Sequence, residues 1–291
     1  MDPALSVPLV LLSAILHAGW NAAIRRQKDV QAATSIVAVG SGLLAILGAF
    51  VLHHEPEAAR TSFKWGLVAA AAEGCYFVAL GQALRIGPLA AVYAISRGAP
   101  LLFLWPASHL LLGEEFGWRA GGALSLLLCG LVLLSPVRAD QQAGTASKAG
   151  LVWALIVAVF NATYSLVYKV ALTHGADVLV LNATSLSLAS PLALLVLARQ
   201  SGPHGGLKAR LQSAFRAAPL PLIAGSVACV VSFLLALYAM QGRGAAWVST
   251  LRNSSIAFAP LWGLLVVGER LSTRAWSGIL LVFCAALLLG R

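Results

Sequence analysis

The sequence predicts an all-α integral membrane protein of ten transmembrane helices, arranged as two inverted five-helix repeats. Three observations predict it. The chain is 59% hydrophobic and 10% charged, with mean hydropathy +0.86, whereas soluble domains carry about 25% charged residues. Ten apolar runs approach the roughly 20 residues that a spanning helix needs. The second half of the chain also echoes the first.

The first run, 4–24, follows Met1-Asp2-Pro3 directly. Its positive charges, Arg25, Arg26 and Lys28, come after it. A secretory signal carries them in front, so this segment is read as a retained helix. The runs 31–52 and 65–84 flank a polar loop from His53 to Lys64, and 89–112 and 119–136 complete the first half. A polar segment, Arg138 to Lys148, separates two units, 1–140 and 148–291. The second unit holds runs at 149–170, 178–198, 219–240, 245–267 and 274–290. Its longest loop, Arg199 to Arg216, places Leu207, Leu211 and Phe215 at helical spacing, which predicts a short surface helix.

The repeat is read directly. Residues 80–134 align without a gap on 235–289 at a shift of 155. Gly87 meets Gly242, Arg97 meets Arg252, Phe103 meets Phe258, and Gly113-Glu114 meets Gly268-Glu269. Arg119 meets Arg274 and Cys129 meets Cys284. Asn21 meets Asn161 at a shift of 140, the difference matching the longer loop before residue 216. An odd number of spans per unit sends the second copy into the membrane from the opposite side. That plan recurs in secondary transporters, with the substrate site near the midplane between the halves.

Loops after odd spans carry twelve Lys and Arg against six in the others, a bias that places odd loops inside and both termini outside. The net charge of +10 comes with no recognition motif or basic patch, so no nucleic-acid partner is expected. The expected partners are a small-molecule substrate and the lipid bilayer, with the chain a monomer or homodimer. Cys75, Cys129, Cys229 and Cys284 lie singly within apolar runs. They form neither a disulfide framework nor a metal site, and no cofactor, metal or enzymatic activity is expected.

Arg97 and Arg252 are charges inside spans four and nine. Such residues face the bundle interior, and two guanidiniums facing one cavity attract a carboxylate or phosphate. A structural ion pair is the competing reading. Glu73 is an acid deep in the third span, a candidate for an ion pair or for proton coupling. His17, Trp20 and Asn21 share one face of the first helix. Asn161, Tyr164, Ser165 and Tyr168 form the equivalent stripe on the sixth. With Tyr93 they are read as candidate cavity lining, against plain interhelical hydrogen bonding. Tyr76 is a further candidate for the lining, and Asn182 is read as interhelical glue. The substrate-binding candidates are therefore Arg97, Arg252, Trp20, Asn21, Tyr93, Asn161 and Tyr164, and the proton-coupling or ion-pair candidates are Glu73 and His17. Gly113, Gly117 and Gly121 at spacing four predict close helix approach or tight turns.

The two-repeat plan, the length, and Gly-Glu after the fourth and ninth spans resemble the drug/metabolite transporter superfamily, EamA type. His17-Ala-Gly-Trp-Asn21, Ala94-Ile-Ser-Arg-Gly98 and Leu251-Arg-Asn-Ser-Ser255 are similar to one branch of it. In that branch an acidic residue often stands where this chain has Asn253. The resemblance implies a multi-pass protein of a bacterial inner (plasma) membrane, moving amino acids or related metabolites with proton coupling. It also implies both termini in the cytoplasm, opposite to the charge bias. A flippase for a lipid-linked anion and a membrane-embedded enzyme using Glu73 and His17 are the competing functions.

Overall fold

The computed structural model describes residues 3–25, 27–52, 56–86, 89–134, 148–201, 206–262 and 272–290. Among them every regular element is a helix: α1 (Pro3–Arg25), α2 (Val30–Leu52), α3 (Pro56–Ile86), α4 (Leu89–Leu112), α5 (Trp118–Leu134), α6 (Lys148–Thr173), α7 (Val178–Ser201), α8 (Gly206–Ala217), α9 (Pro219–Gly242), α10 (Ala245–Arg252), α11 (Ser255–Trp262) and α12 (Thr273–Gly290). Five segments have the length and apolarity to cross a bilayer on their own: Val30–Leu52, Ala59–Leu80, Val152–Thr173, Val178–Ser201 and Pro219–Gly242. Four shorter apolar stretches lie in α1, α4, α5 and α12. Helices suit this setting because each satisfies its backbone polar groups internally, where no water is available. Large apolar side chains cover the outside, with Phe50 86% and Leu110 79% exposed, the arrangement a lipid solvent favours.

Two elements differ from the sequence expectation. The loop after α2 is shorter, because residues 56–64 already belong to α3. The ninth run is two helices meeting at Asn253-Ser254. Asn and Ser side chains compete for backbone hydrogen bonds, and here the ladder tightens. Ser254 N–H bonds to Leu251 O at 3.0 Å and Ile256 N–H to Asn253 O at 3.0 Å, each three residues back instead of four. The glycine spacing meets its expectation in part: Gly113, at φ +65°, makes a tight turn out of α4, while Gly117 and Gly121 meet no other helix among the described residues. The close approaches occur elsewhere: a Cβ on Gly42 would sit 2.9 Å from Ser187 Cα, and one on Gly130 would sit 2.9 Å from Gly278 O. Small residues let apolar helices pack backbone to backbone.

Side-chain contacts fix the relative helix directions. α1 and α9 oppose, with Ser13 against Ser232 and Trp20 near Gly225. α3 and α6 oppose through Trp65–His174, Glu73–Tyr168 and Tyr76–Tyr164. α5 and α12 oppose, Gly122 facing Leu288 and Gly130 facing Val282. α3 and α7 run the same way, from Ser62–Asp177 to Gly74–Leu192. So do α6 and α9, from Tyr164–Phe233 to Lys169–Met240. The packing partners also pair off: α1 with α9 and α6 with α3, α4 with α6 and α10–α11 with α1, α2 with α7, and α5 with α12.

The predicted surface helix is α8. Leu207, Leu211 and Ala214 form its apolar stripe, against Ala32 and Ile36 of α2 and Leu197 of α7. Arg210 clamps Asp29 with Nε and Nη2 at 2.7 and 2.9 Å and reaches Ser201 Oγ at 3.2 Å. That guanidinium holds the Asp29 carboxyl below the usual carboxylate range.

Candidate functional site

The break between α10 and α11 places Arg252 at the end of a short helix inside the bundle. A helical cation at membrane depth costs roughly 2.5–3.5 kcal/mol on insertion scales unless the protein solvates it. Here Arg252 Nη2 donates to Ser232 Oγ at 3.0 Å and lies 3.2 Å from His17 Nδ1. The guanidinium also stacks on Phe233, 4.5 Å from the ring centroid, a favourable cation–π placement. Ser232 is itself fixed: its hydroxyl donates to Ser13 O at 3.0 Å, and Ser13 Oγ donates to Ser232 O at 2.6 Å. If Nδ1 of His17 accepts from the guanidinium, the neutral ring carries its proton on Nε2.

Beside Arg252 lies a polar cavity of about 30 Å³, lined by His17, Asn161, Tyr164, Ser165, Ser249 and Asn253 with Pro100 and Leu101. That volume admits one or two waters, less than a metabolite needs. The lining comes from α1 and α4 on one side and α6 and α10 on the other.

A second polar cluster sits behind it. Glu73 of α3 is fully buried. Its Oε2 accepts from Tyr168 Oη at 3.1 Å and from the Ser185 hydroxyl, and Tyr168 and Ser185 hydrogen-bond each other. Among the described residues Glu73 Oε1 has no hydrogen-bond partner. Tyr164 joins the two clusters: its ring packs edge-on against Tyr76 and Tyr168, at 5.6 and 5.7 Å, and against Phe233 at 6.4 Å.

A third constellation closes one end of α10. The Gly113 turn aims Glu114 across the bundle, and its carboxylate accepts from Ala245 N–H at 2.7 Å and Ala246 N–H at 3.3 Å. These are donors that a helix start leaves without intrahelical acceptors. Gly244 supplies no cap of its own, and a Cβ there would collide with the Glu114 carboxylate. Lys169 donates to Met240 O at 2.7 Å and Arg243 O at 2.9 Å, satisfying the carboxyl end of α9. Arg243 stacks on Trp247 at 4.9 Å.

Of the residues singled out in the sequence, the cavity gathers His17, Asn161, Tyr164, Ser165 and Arg252. Trp20 packs edge-on against His17 at 5.0 Å, one layer back. Asn21 donates to His17 O at 2.7 Å within its own helix. Among the described residues Glu73 is held by the hydroxyls of Tyr168 and Ser185. The side chains of Tyr93 and Arg97 fall outside the described residues, as do Gly87, the Arg138–Ser147 linker, and Gly268-Glu269 with the end of the ninth run. Sequence reasoning missed Ser232 and Ser185, for which isolated serines in apolar helices give little signal. It also missed the role of Glu114, although the repeated Gly-Glu pair marked the place.

A bundle of apolar helices enclosing a polar cavity at a helix break is the architecture of a multi-pass membrane transporter. Residues 148–291 match the EamA-like transporter family, which belongs to the drug/metabolite transporter superfamily. One solved crystal structure superposes with TM-score 0.78 over 97% of this chain and 95% of its own, at 17% identity, a likeness of fold. No curated protein matches the sequence.

Proposed function

We propose that the protein is a secondary transporter of a bacterial inner membrane, carrying a small anionic or zwitterionic metabolite of the amino-acid class by alternating access. The observation that carries this reading is Arg252, a cation at a helix break, facing a cavity that both halves of the chain build. Ten crossings in two inverted units, 1–140 and 148–291, form the framework of the proposal. Its support is directional. α6 runs with α9 and α9 against α1, so the repeat mates α1 and α6 are antiparallel, as inversion requires. α5 and α12 are opposed directly, and the packing partners exchange when the halves are exchanged.

In the proposed cycle the substrate carboxylate binds at the Arg252 guanidinium, whose planar fork of donors grips it in two places. Asn161 and Tyr164 orient the rest of the solute. A proton on His17 Nδ1 would set donor against donor and push the imidazole off Arg252. Protonation at Glu73, linked through Tyr168 and Tyr164, is the second proposed coupling point. Opening requires the Glu114–α10 contact to part, because it ties the first half to the start of the helix that bears Arg252.

Thermal unfolding of the purified protein against amino acids, organic acids and phosphorylated metabolites tests this. A ligand at 100 times its dissociation constant adds about 2.7 kcal/mol to stability. Stabilisation by one carboxylate class, absent in Arg252→Ala, supports the reading. Stabilisation by lipid-linked anions alone would transfer it to a flippase.

A further inference from the structure

We propose that the groove between α2, α7 and α8 is a binding site for one anionic phospholipid, its acyl chain in the groove and its phosphate at Arg216. The groove measures about 540 Å³ and is walled by Ile36, Val39, Leu43, Leu194, Leu211 and Phe215, with Gln212 and Arg216 at its α8 edge. Its volume lies in the ~300–1,000 Å³ range of ligand sites. Its apolar walls suit a hydrocarbon chain, and Gln212 and Arg216 give it a polar edge along α8.

Charge selects the headgroup. α8 carries Lys208, Arg210 and Arg216 and no acid. Arg210 is taken by Asp29, which leaves the exposed Lys208 and Arg216 to meet a phosphate. Basic residues at a membrane surface attract anionic lipids, and the arginine fork suits phosphate oxygens. The groove is also preformed. The buried Ala214 contact and the Arg210–Asp29 clamp hold α8 to α2 and α7, so binding does not have to order the helix.

The same molecule supplies a control. A second apolar groove of about 400 Å³ lies around Phe50, Phe63 and Leu188, and among the described residues no charged side chain lines it. It therefore takes a chain without choosing a headgroup. The proposal is independent of what the central cavity carries.

Native mass spectrometry of the full chain, released from nanodiscs of equal phosphatidylglycerol and phosphatidylcholine, tests the site. One phosphatidylglycerol is retained preferentially by the wild type. Lys208→Ala with Arg216→Ala lowers the ratio of the two bound lipids about tenfold. Val39→Trp, which fills the groove, removes the preferred lipid, while Leu188→Trp leaves the ratio unchanged. The double alanine variant changes only exposed side chains, so its result stands even if the tryptophan variants fold poorly. An unchanged ratio in that variant means annular lipid only and overturns the proposal. So does loss of the preference in Leu188→Trp with retention in Val39→Trp.

Discussion

Arg252 Nη2 and His17 Nδ1 lie 3.2 Å apart although 235 residues separate them in the chain. The contact joins α10 to α1, and both residues line the central cavity. A hydrogen bond to a charged group contributes about 1.5–3 kcal/mol. Arg252→Ala therefore weakens substrate binding by roughly 10- to 100-fold, as measured by titration calorimetry. Arg252→Lys keeps the charge but loses the fork and recovers only part of the affinity.

Glu73→Gln preserves the size of the side chain and an acceptor for Tyr168 while removing the site of protonation. Exchange of substrate across a proteoliposome membrane continues in this variant. Accumulation driven by a pH gradient is lost. Both are read from uptake of labelled solute with and without an imposed gradient, and unchanged accumulation would remove Glu73 from coupling.

Glu114→Ala leaves the start of α10 without its acceptor. Loss of a helix cap costs about 0.5–2 kcal/mol, and here that cost falls on the conformation in which Glu114 holds α10. A cysteine placed at Ser249, in a background lacking the four natural cysteines, reports the change. Its reaction with a membrane-impermeant thiol reagent is faster in Glu114→Ala than with Glu114 intact.

The Asp29–Arg210 pair makes a pH-dependent contribution outside the membrane. The folded carboxyl is held below its usual value. Its stabilisation is therefore complete above the unfolded value of about 3.9 and is lost as pH falls through the folded one. The side chains are 29% and 31% exposed, so solvent screening limits the pair to about 1 kcal/mol or less. Arg210→Ala lowers the melting temperature at pH 7, more in low salt, and the difference from wild type shrinks towards pH 3.

Much of this was legible in the sequence because the membrane imposes a simple code. Apolar runs gave the helices, and the Leu207–Leu211–Phe215 spacing gave α8. The polar stripes on the first and sixth spans gave His17, Asn161 and Tyr164, and a charge in the ninth span gave Arg252. What stayed hidden depends on three-dimensional partners. Ser185 and Ser232 matter only because Glu73 and Arg252 arrive from other helices. The break after Arg252 falls at Asn253-Ser254, where the run 245–267 continues without interruption in the sequence. Asn21 stood on the right face but turned its amide back to its own helix.

The most direct test of the central claim is uptake of labelled amino acids and organic acids into proteoliposomes holding the wild type, Arg252→Ala or Asn161→Ala. Saturable uptake of one carboxylate class is expected of the wild type, abolished in Arg252→Ala and weakened in Asn161→Ala, with all three proteins equally folded. Equal uptake by wild type and Arg252→Ala would contradict it, because the solute would then be crossing by a route that does not pass this cavity.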